Sequence, residues 1–107
     1  MKTIKISHNK NVRPSEVVFL RADVNYTELH FENGNKIVLA KTLKKLQESF
    51  SQQGFFRISK TFIINLKFLS NAMGNHTIVK MKNNVELNVS RRRREDLKDF
   101  LESHKNK

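Results

Sequence analysis

Apolar and polar positions alternate with a period of two through most of this chain and switch to steps of three and four in two places. Ile4 and Ile6 alternate with Thr3 and Lys5, the pattern of a half-buried strand. Residues 9–14 read as a polar connection. The run Val17-Val18-Phe19-Leu20 is short, β-branched and aromatic, which predicts a buried strand. A polar break is expected over residues 21–25, after which Thr27, Leu29 and Phe31 fall on one side of a strand leading into Glu32-Asn33-Gly34-Asn35. Asn-Gly between alternating segments predicts a type I′ hairpin, since both residues tolerate positive φ, with Ile37, Val38 and Leu39 returning.

The first change of period follows. Thr42 suits an N-cap, and Leu43, Leu46 and Phe50 recur at helical steps among Lys, Gln and Glu, predicting about three turns of amphipathic helix ended near Gly54. Residues 55–69 are apolar and β-rich but broken at Ser59, Lys60 and Thr61. A second hairpin is expected from residues 77–81 and 85–89 about Asn83-Asn84. Ser90 stands where a second helix needs its cap, and Leu97, Phe100 and Leu101 supply the stripe. These elements predict a mostly β fold of seven or more short strands with one internal and one C-terminal helix. The residues from Glu102 onward read as a charged, fraying end. The expectation is one domain over 1–107, ordered over about 2–103 with a tail at 104–107.

Composition narrows the function. At 107 residues the chain has room for one modest core. Its formal charge of +11 gives the fold nothing but self-repulsion, so a polyanionic partner is expected. There is no cysteine, which excludes disulfides and thiolate metal sites and agrees with a reducing compartment. His8, His30, His76 and His104 show no ligand spacing, so no metal and no cofactor are expected. The N-terminus lacks the apolar core of a signal peptide and no run is long enough to span a membrane, so a cytoplasmic protein with no membrane contact is expected. Glu48, Glu95, Asp96, Asp99 and Glu102 fall on predicted helix faces and the glycines are isolated, so neither paired catalytic carboxylates nor a phosphate loop is visible, and no enzyme is expected.

Two cationic spots carry the candidate chemistry. In Phe55-Phe56-Arg57-Ile58-Ser59-Lys60-Thr61-Phe62-Ile63-Ile64-Asn65-Leu66 two cations and two hydroxyls interrupt an apolar stretch, placing Lys60 and Thr61 on a projecting loop with Arg57 one strand residue further back. Such side chains bond phosphates or base edges. The second spot is Ser90-Arg91-Arg92-Arg93-Arg94. Four cations in a first helical turn repel one another and oppose the helix dipole, a cost that phosphates remove. Asn25 and Tyr26 follow the second strand: the amide suits adenine, and the ring suits either a sugar or the core. Asn65, polar within an apolar strand, is read as buried or half-buried and bonded to backbone. Phe55, Phe62, Phe68 and Phe100 lie within apolar patterns and are read as core residues.

Phe56-Arg57-Ile58-Ser59-Lys60-Thr61-Phe62-Ile63-Ile64-Asn65-Leu66 followed by Val89-Ser90-Arg91 resembles the signature of the LytTR DNA-binding domain, approximately F-R-x-H-[RN]-S-x-[IVL]-[IV]-N. Asn25-Tyr26-Thr27, Asn33-Gly34 and Thr42-Leu43-Lys44-Lys45-Leu46 match in order and spacing, and the resemblance covers roughly residues 2–103. It departs at Ser59, where the family has histidine, and at Thr61, where serine is usual and the hydroxyl is kept. The resemblance implies short antiparallel sheets and DNA binding through loops that enter successive major grooves, in bacterial transcription regulators that often act on paired direct repeats. It implies DNA-facing positions at Asn25 or Tyr26, at Lys60 and Thr61, and at Arg91.

The expectation is therefore a stand-alone, LytTR-like regulator with no receiver domain, binding double-stranded DNA through Asn25, Tyr26, Arg57, Lys60, Thr61, Ser90 and Arg91, with Arg92 to Arg94 on phosphates. Its copies would fill paired sites as a homodimer or as side-by-side monomers. Two rival readings stand: an interaction module with a basic surface that docks a regulatory protein, and a nonspecific nucleic-acid binder.

Overall fold

Opposite faces of one antiparallel sheet carry two separate hydrophobic cores, and that division sets the architecture. The computed structural model describes residues 3–105. In chain order the elements are β1 (Ile4–Ser7), β2 (Lys10–Val12), β3 (Val17–Asp23), β4 (Tyr26–Phe31), β5 (Lys36–Leu39), α1 (Leu43–Ser51), β6 (Phe55–Arg57), β7 (Phe62–Asn65), β8 (Leu69–Met73), β9 (Ile78–Met81), β10 (Glu86–Asn88) and α2 (Arg91–Lys105). The central sheet runs β5-β4-β3-β7-β6, every neighbour antiparallel, and is flanked by the hairpin β1-β2 and a three-stranded sheet β10-β9-β8. The mostly β fold expected from the sequence is the one observed.

The unbroken apolar run at the start of β3 follows from this layering, because a strand covered on both faces has no solvent side to make polar. A bulge between Val17 and Phe19 resets the alternation, so Val17, Leu20 and Ala22 join one core while Val18 and Phe19 join the other. On the first face Leu20, Leu29, Phe55 and Ile63 pack with Ile4, Ile6 and Val12 and with Leu43, Leu46 and Phe50 of α1. Thr42 caps that helix, its Oγ1 accepting from the Lys45 N–H at 3.3 Å. Each of the three α1 side chains contributes about 1.5–3 kcal/mol by leaving water, and Phe50 meets Phe55 edge-on with ring centres 4.9 Å apart. On the second face Phe19 and Ile64 pack with Val79, Met81, Leu87 and with Leu97 of α2.

Four expectations are corrected. Residues 10–12 form strand β2, with Val12 buried and paired to Ile4, so the stretch 9–14 is not simply a connection. The polar break at 21–25 shrinks to the turn Val24-Asn25: Arg21 pairs with Glu28 and Asp23 with Tyr26, and the strand stays polar there because that part of the second face is open to solvent. The Asn33-Gly34 turn is not type I′. Only Gly34 (φ +90°) of the two is left-handed, Gly34 N–H donates to the Phe31 carbonyl (3.0 Å) and Phe31 N–H to that of Asn35 (2.9 Å), which closes a three-residue loop with a bulge. Asn84 (φ +70°) takes the place of Gly34 in the matching β9–β10 loop, bonded to Met81. Finally, α2 continues to Lys105, through the stretch expected to fray; residues 1–2 and 106–107 lie outside the described residues.

Asn65 behaves as expected. It is buried at the end of β7, its Nδ2 donating to the carbonyls of Pro14 (3.2 Å) and Val17 (2.9 Å) and its Oδ1 accepting from the Lys67 N–H (3.0 Å). It thereby ties together two short 3-10 turns, Pro14–Glu16 and Leu66–Phe68. Among the described residues no helix is long and apolar enough to cross a membrane.

Candidate nucleic-acid interface

Four segments far apart in sequence converge at one end of the strands of the central sheet, where hydrogen bonds tie them together. The end of β3, just before its turn into β4, meets the loop after β6 through Ala22 N–H donating to the Thr61 carbonyl at 2.7 Å. Thr27, fully buried, donates its hydroxyl to the Lys41 carbonyl at 2.6 Å, so α1 starts at this same end. Ser90, directly before α2, donates its N–H to the Ile58 carbonyl at 2.8 Å, and its own carbonyl accepts from the Arg93 N–H at 2.9 Å. Val24–Tyr26, Lys41–Lys45, Ser59–Thr61 and Ser90–Arg93 therefore share one end of the molecule.

The Ser59–Thr61 loop is held from inside. The Ser59 Oγ accepts from the N–H groups of both Thr61 and Phe62 at 3.1 Å, a side-chain turn that replaces ladder bonds where the strand breaks. Arg57 grips the same loop: its Nε donates to the Ser59 carbonyl at 2.9 Å, its Nη2 to the Lys60 carbonyl at 3.1 Å, and its Nη1 to Gln47 Oε1 of α1 at 3.0 Å. Three of the five guanidinium N–H groups are thus committed to the protein. The loop is rigid from below while the Lys60 side chain remains exposed.

Arg57, Ser59, Lys60, Thr61, Ser90, Arg92 and Arg93 line an open cleft of about 470 Å³. Burial, and then the neighbouring Arg93 charge, lower the pKa of Arg57 below its usual value. The guanidinium stays protonated, so the cleft holds a partly buried Arg57 with the like charge of Arg93 beside it. An anion placed there relieves the repulsion.

Residues 7–102 match the LytTr DNA-binding domain family. The chain belongs to the LytTR DNA-binding family. No curated protein matches it. Among solved structures, a LytTr DNA-binding domain from Bacillus cereus superposes with a TM-score of 0.76 over 94% of each chain at 20% identity, a likeness of fold.

Within this LytTR domain the structure gathers Arg57, Lys60, Thr61, Ser90 and Arg92 in the cleft and sets Asn25 and Tyr26, both exposed, on the adjacent turn. Arg91 is exposed at the first residue of α2. Arg94 stands apart. Its Nε donates to the Val89 carbonyl at 3.2 Å, and it borders a separate depression with Asn75, His76, Glu95 and Lys98. Sequence reasoning passed over Ser59 and Gln47 as parts of the loop's support, and also Lys41, Lys44 and Lys45 at the start of α1. The signal for the lysines was present: the first turn of α1, like that of α2, contains no acidic residue.

Proposed function

We propose that this LytTR domain regulates transcription by binding duplex DNA sequence-specifically, with the β3–β4 turn and the Ser59–Thr61 loop entering the major groove beside the start of α2. The observation that carries the reading is the cleft, in which a loop clamped by Arg57 and the first turn of a helix present cations with no acidic side chain in its lining. Lys60, Thr61 and Arg91 reach base edges, since their side chains leave a rigid frame at its exposed rim. Arg92 and Arg93 hold phosphates, and Lys41, Lys44 and Lys45 extend that grip along the flank. Arg57 acts as a positioning residue, and Arg94 braces the end of β10 against α2.

Two copies bound side by side on direct repeats about 10 base pairs apart would occupy the same face of the duplex. The edge strand β5, where Val38 is 53% exposed, lends support to the rival reading of a protein-docking module.

Titration of Arg91→Ala against a preferred and a random duplex tests the assignment. The account expects a loss of about 1–3 kcal/mol on the preferred duplex and little on the random one. Equal losses would make Arg91 a phosphate contact, and partner binding that survives nuclease digestion would favour the docking module.

A further inference from the structure

Val24 is the anomaly of this surface. It is a β-branched residue with φ +53°, in the left-handed region that such side chains avoid, and it is 92% exposed at the tip of the β3–β4 turn. Asp23 pairs directly with Tyr26, so Val24 and Asn25 are the two central residues of a two-residue hairpin. A positive φ at the first of them alone is the pattern of a type II′ turn, whose first central position belongs to glycine. Valine there strains the backbone, and its side chain buries nothing within the domain. Strain that the fold itself does not use concentrates at ligand-contacting sites. The tip begins two residues beyond Ala22, whose N–H donates to the Thr61 carbonyl, at the end where the cationic segments meet.

Adjacent apolar and amide side chains on such a tip match one ligand chemistry. In the major groove an A·T pair shows a methyl group on thymine and a donor–acceptor pair on adenine N6 and N7. An asparagine amide satisfies the adenine edge with two hydrogen bonds, and an exposed branched aliphatic side chain packs on the methyl. Resting on the DNA-binding reading above, we propose that Val24 and Asn25 form an A·T reader: Val24 packs on a thymine 5-methyl group and Asn25 takes the adenine edge of the same or the neighbouring pair. Val24 is thus a specificity-determining residue that the basic patches do not reveal.

The test removes the apolar group from each partner in turn. Take a duplex of the sequence enriched from a random pool and replace its thymines by deoxyuridine one position at a time, which deletes only the 5-methyl. At one or two positions wild-type affinity falls about fourfold, the worth of one buried methyl, while Val24→Gly binds the thymine and uracil duplexes equally. Glycine accepts the positive φ, so this variant keeps its melting temperature or raises it while losing discrimination. Asn25→Ala, selected on the same pool, relaxes an A·T position at or next to the methyl-sensitive one. The inference is overturned if no thymine position distinguishes wild type from Val24→Gly, or if Val24→Gly weakens all duplexes alike, which would place the side chain on sugar or backbone. Failure to enrich any sequence would instead remove the DNA-reading account beneath it.

Discussion

Arg57 Nη2 donates to the Lys60 carbonyl oxygen at 3.1 Å, so a guanidinium that the sequence offers for DNA also shapes the loop that carries the neighbouring cation. With Nε on the Ser59 carbonyl and Nη1 on Gln47, one side chain fixes the loop to both its own strand and α1. The fork geometry matters as much as the charge, because an ammonium cannot hold three acceptors in one plane. Arg57→Lys therefore keeps the charge and loses the loop. The expected result is a loss of about 1–2 kcal/mol of affinity for a preferred duplex, with random-duplex affinity and the salt slope unchanged. A parallel loss on random DNA would show that Arg57 touches phosphate instead.

The start of α1 gives a prediction with opposite signs for folding and binding. Lys44 and Lys45 lie in a first turn without acidic residues, where positive charge works against the helix dipole. The double change Lys44→Gln, Lys45→Gln should raise stability by up to about 1 kcal/mol. It should also weaken preferred and random duplexes equally and flatten the plot of log affinity against log salt by about 0.9 for each phosphate no longer neutralised. Binding unchanged at every salt concentration would remove α1 from the interface.

Asn65 sits far from that surface and tests the fold alone. Asn65→Leu takes the side-chain donor from the Val17 carbonyl and from the Pro14 carbonyl, which keeps the Val17 N–H, and takes the acceptor from the Lys67 N–H, at about 1–3 kcal/mol for each group left without a partner and out of reach of water. A loss of at least about 2 kcal/mol is expected in urea unfolding, as a lower midpoint at unchanged slope. A change within experimental error would mean that Pro14 and Val17 find other donors.

Glu28 supplies a pH dependence. Its carboxylate can only accept, so the His30 Nε2 at 2.9 Å donates to it, and that bond, with the charges of Lys36 (3.7 Å) and Arg21 (3.4 Å), holds its pKa below the ordinary 4.5 against the opposing effect of burial. A lowered folded pKa stabilises the protein above the unfolded value and ceases to do so as pH falls through the folded one. Glu28→Gln should lower the melting temperature near pH 7 and by progressively less towards about pH 3. The effect is worth less than about 1 kcal/mol, because Lys36 and Arg21 are solvent-screened. A difference between wild type and variant that grows on acidification would contradict this origin.

Much of the fold was legible because local chemistry and tertiary role agree. The Thr42 cap and the spacing of Leu43, Leu46 and Phe50 mark α1 wherever it packs, and Asn65 stands out as the polar residue in an apolar strand. Strand β2 was not legible: Lys10 and Asn11 are exposed, and Val12 alone carries no period. Arg21 and Asp23 hid the end of β3, since polar residues on an open sheet face look the same as a loop. Asn33-Gly34 signalled a hairpin but not its loop length, which depends on the register set by the partner strands. At the interface, the signature spacing pointed to Lys60 and Arg91, whereas nothing in a sequence shows whether a strand arginine turns outward or, like Arg57, back on its own loop. Nor does a run of four arginines show that Arg94 is held to Val89 while Arg92 and Arg93 line the cleft.

Selection of bound duplexes from a random DNA pool, at about 0.15 M salt so that nonspecific attraction is suppressed, tests the central claim most directly. The account predicts enrichment of one motif, recurring at about one helical turn, and loss of that enrichment in Arg91→Ala. A pool that stays random while binding collapses with added salt would contradict it, leaving a basic surface that does not read sequence.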